Sequence, residues 1–276
     1  MSKTLISLLT LSSLTFTLGL VPQSPIEQTR LAIRSLKKAI EKYDESGKPK
    51  RFYVDYLVPL PPETQAEDID PWPGGLAQMY SYAEDSLQEI LGGIVDEAGS
   101  CSSQVISDTD CCGFFVQESL TSPKNDIGAI LFPGVDQLDK IAEIDQMVGE
   151  RTLLLFNRQF QRPVDFGFAN KDKAQKLIFD RYSWGFAFQE IACRGEDVKL
   201  TFEYPSWTSC VVCDENIEKG AEYIDLLAPS TERPIYEALE KEINKKLPEP
   251  LWMRKMGEAQ EKGFKFQRGG SGGKAE

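Results

Sequence analysis

The chain has 276 residues, 41% of them apolar and 27% charged, a balance that suits a soluble globular protein with a sizeable core and no need of a disulfide framework. Its formal charge of −12 argues against a general nucleic-acid binder, which presents a basic footprint. Histidine is absent, which excludes Ser-His-Asp and Cys-His catalysis, histidine acid/base chemistry and imidazole-ligated metal sites.

From Thr4 to Ile26 no residue is charged, and Lys3 supplies a basic start. Leu5–Leu11 is a short apolar core, which Ser12, Ser13, Thr15 and Thr17 dilute too far for a membrane span. Residues 1–22 therefore read as a cleaved targeting or signal segment. Phe16, just after the apolar core, resembles the plastid address of algae whose plastids are of secondary origin; plain secretion is the alternative. Ser24-Pro25-Ile26-Glu27 combines a capping Ser, Pro at the first helical position and Glu three residues after the cap, and so starts a helix. Its apolar stripe is Ile26, Ile33, Leu36, Ile40 and Tyr43. Phe52–Val58 reads as a strand ending in Pro59-Leu60-Pro61-Pro62. An acidic, proline-punctuated loop, Glu63–Pro73, leads to a helix over Leu76–Leu91 with Leu76, Met79, Tyr80, Ala83, Leu87, Ile90 and Leu91 inward.

Gly99–Gly113 is rich in Ser, Asp and Thr around Cys101, Cys111 and Cys112. These three are the redox candidates, through a disulfide inside the segment or a thiol switch between Cys101 and Cys111 or Cys112. Phe114–Gln117 is a short strand. The organising stretch follows, Asp126–Phe156. Ile127–Phe132 and Thr152–Phe156 are unbroken apolar runs, as in strands covered on both faces. Between them Pro133-Gly134 turns, and Leu138, Ile141, Ile144 or Asp145, and Val148 lie at helical spacing; Asp136 is placed to cap that helix and Gly149 to end it. Such a β-α-β unit makes its strands parallel. Asn157 and Arg158 then emerge at the carboxyl end of a parallel strand, where open α/β sheets place ligands. Gly134, Asp136, Asn157 and Arg158 are thus the candidate ligand-binding residues, with Arg158 suited to an anionic group and a surface arginine as the alternative.

Asn170–Ser183 has helical periodicity. Phe186–Cys193 is strand-like, Arg194–Asp197 turns, and Val198, Leu200, Phe202 and Tyr204 alternate with polar residues as on a half-exposed antiparallel strand. Trp207–Cys213 and Glu222–Leu227 continue the sheet, and a final helix spans Glu232–Leu247. The Gly-, Pro- and Lys-rich stretch 249–276 reads as a disordered tail.

Cys210-Val211-Val212-Cys213 has redox spacing but sits on an expected strand, where residues three apart point to opposite faces, so these are structural thiols. Neither a phosphate-binding G-x-x-x-x-G-K-[ST] nor a dinucleotide-binding G-x-G-x-x-G after a strand is present, and no cofactor is expected. No metal set is expected, and no catalytic set can be named, which inclines the reading away from an enzyme.

Several weak motifs follow one another in a set order: the Pro-initiated helix, YLVPLPP, FPGVDQLDKIAEI, TLLLFNRQF, YSWGFAFQEI, a YPSW segment and a helix headed by RP. In this order the chain resembles the plant, algal and cyanobacterial domain of unknown function 1995, over roughly Pro25 to Leu247. Asn157, Pro205, Trp207, Arg233 and Pro234 fit the family's pattern, and the Cys101–Cys112 stretch does not. The resemblance implies a chloroplast protein, stromal or peripherally associated with thylakoids. By likeness to a photosystem II assembly factor in the family, it implies protein partners among photosystem assembly components. The expected fold is a single α/β domain over 23–248: a mixed sheet, parallel around Ile127–Phe156 and antiparallel towards Val198–Leu227, with flanking helices. The alternative function is an enzyme or ligand-binding protein with a cleft at the carboxyl ends of the parallel strands.

Overall fold

The computed structural model describes residues 21–62, 64, 70–216 and 220–261. In chain order the elements are α1 (Pro25–Ser46), β1 (Arg51–Asp55), α2 (Gly75–Ile94), β2 (Ala98–Ser107), β3 (Cys112–Ser119), β4 (Ile127–Leu131), α3 (Leu138–Val148), β5 (Thr152–Phe156), α4 (Gly167–Ala174), β6 (Ser183–Cys193), β7 (Glu196–Glu203), β8 (Ser206–Asn216), β9 (Gly220–Ser230), α5 (Tyr236–Lys246) and α6 (Leu251–Glu261). The nine strands form one mixed sheet in the order β2-β3-β4-β5-β1-β6-β7-β8-β9. Its centre is parallel, through the pairs β4/β5, β5/β1 and β1/β6. Both wings are antiparallel. This is the expected mixed α/β architecture, a parallel core with an antiparallel extension.

The apolar runs explain the centre. Every residue of β4 and β5 is buried, as required of strands covered on both faces. One face carries Phe52, Val54, Leu154 and Phe156 against Leu36 of α1 and Leu87 and Ile90 of α2. The other carries Tyr53, Leu153 and Leu155 against Ile141 of α3 and Phe160, Phe166 and Ile178 of the α4 region. A third cluster, with Leu200, Trp207 and Val211, packs on Leu239 and Ile243 of α5.

Helix α1 begins as its sequence dictates. The Ser24 side chain accepts from the Glu27 N–H at 3.2 Å, and Glu27 reaches back to the Gln23 N–H at 2.7 Å. Its inward face differs from the expected stripe: Leu31, Ala32, Ser35, Leu36 and Ala39 are buried, whereas Ile26 is exposed. The reason is close approach. Small residues let the helix lie against β6, where a Cβ on Gly185 would stand 2.5 Å from Leu36 Cδ2. Ser35 donates to the Gly185 carbonyl and accepts from the Tyr204 N–H at 2.8 Å.

Other expectations are corrected. Gly99–Gly113, to which the sequence assigned no element, is most of a hairpin, β2 and β3 joined around Asp108–Cys111. Asp136 does not cap α3; the Gln137 side chain accepts from the Gly134 N–H at 2.8 Å instead, and Asp136 is exposed. Gly149 does end α3, with φ of 61° and its N–H on the Asp145 carbonyl. The helix expected over Asn170–Ser183 starts at Gly167, loosens into a π turn over Gln175–Phe179, and yields to β6 at Ser183. The last expected helix starts at Tyr236, and α6 occupies part of the stretch expected as a tail. Residues 1–20 of the expected targeting segment 1–22, part of the acidic loop and residues 262–276 lie outside the described residues.

Candidate functional site

Two chain directions meet at the carboxyl ends of β1 and β5. The connection leaving β1 runs over one face, through α2, to the β2–β4 side; the connection leaving β5 runs over the other face, through α4, to β6. Adjacent parallel strands whose connections diverge leave a crevice between their ends, the usual ligand position in open α/β sheets. Here β6 deepens it. Only Ser183–Ala187 pair with β1, so Phe188–Cys193 project past the end of β1 as a wall. The resulting cleft measures about 560 Å³ and takes residues from β1, α2, the β5 end, β6 and the segment before α5.

Of the four expected ligand residues, the cleft takes two. Arg158 and Asn157 line it, whereas Gly134 and Asp136 do not. Asn157 is committed to the fold. Its side-chain Oδ1 accepts from the Tyr56 N–H at 2.6 Å and its Nδ2 donates to the Tyr56 carbonyl at 2.8 Å, so the side chain adds a rung between the two strand ends. Its φ of 51° turns the chain away, a conformation asparagine tolerates better than most residues. Phe132 makes the same left-handed turn after β4, with φ of 50°, a strained setting for an aromatic residue.

Arg158 is held differently. Its guanidinium lies over two aromatic faces, 4.3 Å from the Tyr53 ring and 4.8 Å from the Trp184 ring. Its Nε is buried with no hydrogen-bond partner, and its Nη1 reaches only the Phe160 carbonyl at 3.5 Å. Arg233, from the segment before α5, enters from the β6 side. Its Nε and Nη2 donate to the neutral Gln189 Oε1 at 3.1 and 2.8 Å, and its guanidinium lies 5.9 Å from the Trp207 ring. Among the described residues neither arginine has a carboxylate within ion-pair distance. Asp55, the last residue of β1, accepts from Gln189 Nε2 at 2.5 Å. Burial pushes its pKa up, against the pull of Arg158, Gln189 and Arg233. Burial likewise pushes the pKa of Arg233 down, although Asp55 opposes it. The set is therefore two guanidiniums over one carboxylate, linked by Gln189 and backed by aromatic rings.

Sequence reasoning reached Arg158, and named Arg233 only as part of a pattern. It missed Asp55, Gln189, Tyr53 and Trp184. One signal was present: Asp55 ends an apolar strand as Asn157 follows another, so both polar residues sit at carboxyl ends of adjacent parallel strands.

The cysteines separate. In the hairpin Cys101 faces Gln117 and Cys112 faces Ser107, about 17 Å apart along β3 at strand rise, well beyond disulfide reach. Cys101 packs towards the α1/α2 face and Cys112 belongs to the opposite core. All six cysteines are free, and burial pushes the Cys112 thiol up to about 12 and raises that of Cys101. Cys210 and Cys213 take opposite faces of β8, as strand geometry requires; Cys210 lines a small hollow beside Lys199, while Cys213 packs on the third cluster.

Comparison with family models, curated proteins and solved structures found no match to this chain. No helix among the described residues is long and apolar enough to cross a membrane.

Proposed function

We propose that this chain is a binding protein whose ligand presents an acidic group to the cleft at the carboxyl ends of β1 and β5. One observation carries the reading: Arg158 and Arg233 converge on one cleft without ion-pair partners, at the place where an open α/β sheet receives its ligand. Arg51, the one cation fully buried among the described residues, is by contrast paired with Asp145 at 2.5 Å. Guanidiniums resting on aromatic faces are oriented but not neutralised, which suits them to recognise an anion. Thermal unfolding of the chain in small acids against chloride at matched ionic strength tests the reading. A ligand present at a hundred times its Kd stabilises by about 2.7 kcal/mol. The expected result is a rise in Tm with acids that is lost in Arg158→Gln and Arg233→Gln; a rise equal in the variants would remove the site.

A second reading is supported by the motif order from YLVPLPP to the RP-headed helix, which resembles domain of unknown function 1995. It makes the protein a plastid factor that binds photosystem or thylakoid assembly components, and it is compatible with a ligand in the cleft. Capture of photosystem or membrane-insertion components by the mature protein from intact plastids is its expected outcome. Unchanged photosystem levels after loss of the gene would count against it.

A further inference from the structure

We infer that the ligand of this cleft is an amphipathic monoanion: a carboxylate head seated between Arg158 and Arg233, on an apolar body lying along α2 and the projecting end of β6. This rests on the binding reading above and names the ligand class of the same site.

The charge of the site sets the head. Two guanidiniums against the single carboxylate of Asp55 leave one positive charge in excess. The other acidic residue of the lining, Glu190, shares Lys199 with Asp197, and as the strand neighbour of Gln189 it points to the opposite face of β6, away from the two guanidiniums. An uncompensated charge in a half-buried cleft is costly, and one negative charge relieves it.

The backbone decides against a phosphate chain. Phosphates are ordinarily cradled by free N–H groups at a glycine-rich turn or a helix start. Here four of the strand-end N–H groups are used. Those of Phe132, Asn157 and Gln159 donate to the carbonyls of Phe156, Val54 and Pro133 at 2.9, 2.8 and 2.9 Å. That of Gly134 donates to Gln137 Oε1 at 2.8 Å. Recognition falls to the guanidinium forks, which accept a carboxylate or a phosphate alike, so the preference for a carboxylate rests on the backbone and on the single charge required.

The remaining lining sets the body. Leu57 is 42% exposed, and Leu76, Met79 and Ile191 are each partly open on the same cleft. A small hydrophilic acid would leave these side chains facing water, whereas a hydrocarbon or aryl body would cover them, at a stabilisation proportional to the apolar area removed. The cleft volume of about 560 Å³ lies within the range of small-molecule sites.

Calorimetric titration of the full chain with decanoate, decanol, acetate and inorganic phosphate, at fixed ionic strength, tests both halves. Decanoate is expected to bind at least about tenfold more tightly than decanol or acetate. Arg158→Gln and Arg233→Gln should each weaken decanoate about tenfold while leaving decanol unchanged. Met79→Ser should weaken decanoate and leave acetate unchanged. Arg233 stands on an exposed segment, so its variant keeps the test alive if Arg158→Gln fails to fold. Acetate or phosphate binding as tightly as decanoate, with loss in the arginine variants, would overturn the apolar body and leave the anion site standing. Decanol matching decanoate, with both arginine variants unaffected, would overturn the head. Absence of binding by every probe would overturn the binding reading itself.

Discussion

Two arginines stand at opposite ends of the parallel strands and are treated in opposite ways. Arg51, at the amino end of β1, is 1% exposed. Its Nε meets Asp145 Oδ1 at 2.5 Å, its Nη1 the Arg151 carbonyl at 2.6 Å and its Nη2 the Gly149 carbonyl at 2.6 Å. It thereby ties β1 to the last turn of α3, where orphan carbonyls and the negative end of the helix dipole gather. Arg158, beyond the carboxyl end of β5, rests on aromatic rings with a buried Nε unpartnered. The lesson is that burial of a charge says little about its role, whereas the completeness of its partners says much. A saturated cation holds the fold; an unsaturated one at a cleft is ready for something else.

The largest effect tests the saturated side. Arg51→Met strands Asp145, with only Arg181 left to it at 2.6 Å, and leaves the Gly149 and Arg151 carbonyls without the donor. Breaking a buried pair in this way costs about 3–5 kcal/mol, read as a lowered urea midpoint at unchanged slope. A loss under about 1 kcal/mol would mean that water replaces the guanidinium, and the contrast between the two arginines would dissolve.

Next comes the residue that was expected to bind ligand and instead closes the strand ends. Asn157→Ala removes two side-chain bonds to the Tyr56 backbone and places alanine at φ of 51°. Together these should cost about 2–3 kcal/mol. Asn157→Gly keeps the conformation accessible and should recover about 1 kcal/mol of that. Full stability with lost ligand binding would return Asn157 to the site.

What could be read in the sequence follows from what is local. The parallel pair β4/β5 was legible because burial on both faces leaves no polar alternation, and the α1 start because its cap lies within four residues. The hairpin β2/β3 was not, since β2 is mostly exposed and its Ser-rich face lacks apolar periodicity. The cleft was half legible. Its position follows from strand direction, which the β-α-β pattern gives. Its chemistry depends on Asp55, Gln189 and Arg233, which are brought together only by long-range strand order. Arg51 and Asp145 stand 94 residues apart, and nothing local announces their pairing.

A smaller effect separates the two regions by pH. Burial raises the Asp55 pKa above the ordinary 3.8. The folded state therefore holds this proton more tightly than the unfolded chain does. Its contribution to stability is fully present below pH 3.8 and is lost as pH rises through the folded value. Protonating Asp55 also makes the cleft more positive, so anion binding should strengthen as pH falls through that same value, until the ligand itself takes a proton. Asp55→Asn should bind several-fold more tightly at neutral pH and lose the dependence. An unaltered pH profile in the variant would place Asp55 outside the site's electrostatics.

The smallest effect on stability belongs to Arg158, and it is the sharpest cut through the comparison. Arg158→Gln gives up two ring contacts worth about 0.5–1 kcal/mol each at partly exposed sites. It also removes a charge whose buried Nε has no partner, an offsetting gain. The urea midpoint should move by no more than about 1 kcal/mol in either direction, while the acid-dependent rise in Tm disappears. If Arg158→Gln instead destabilised the protein as much as Arg51→Met is expected to, the aromatic seat of Arg158 would be a structural brace. The excess positive charge of the cleft would then belong to the fold, and Arg233 alone would face an incoming acid.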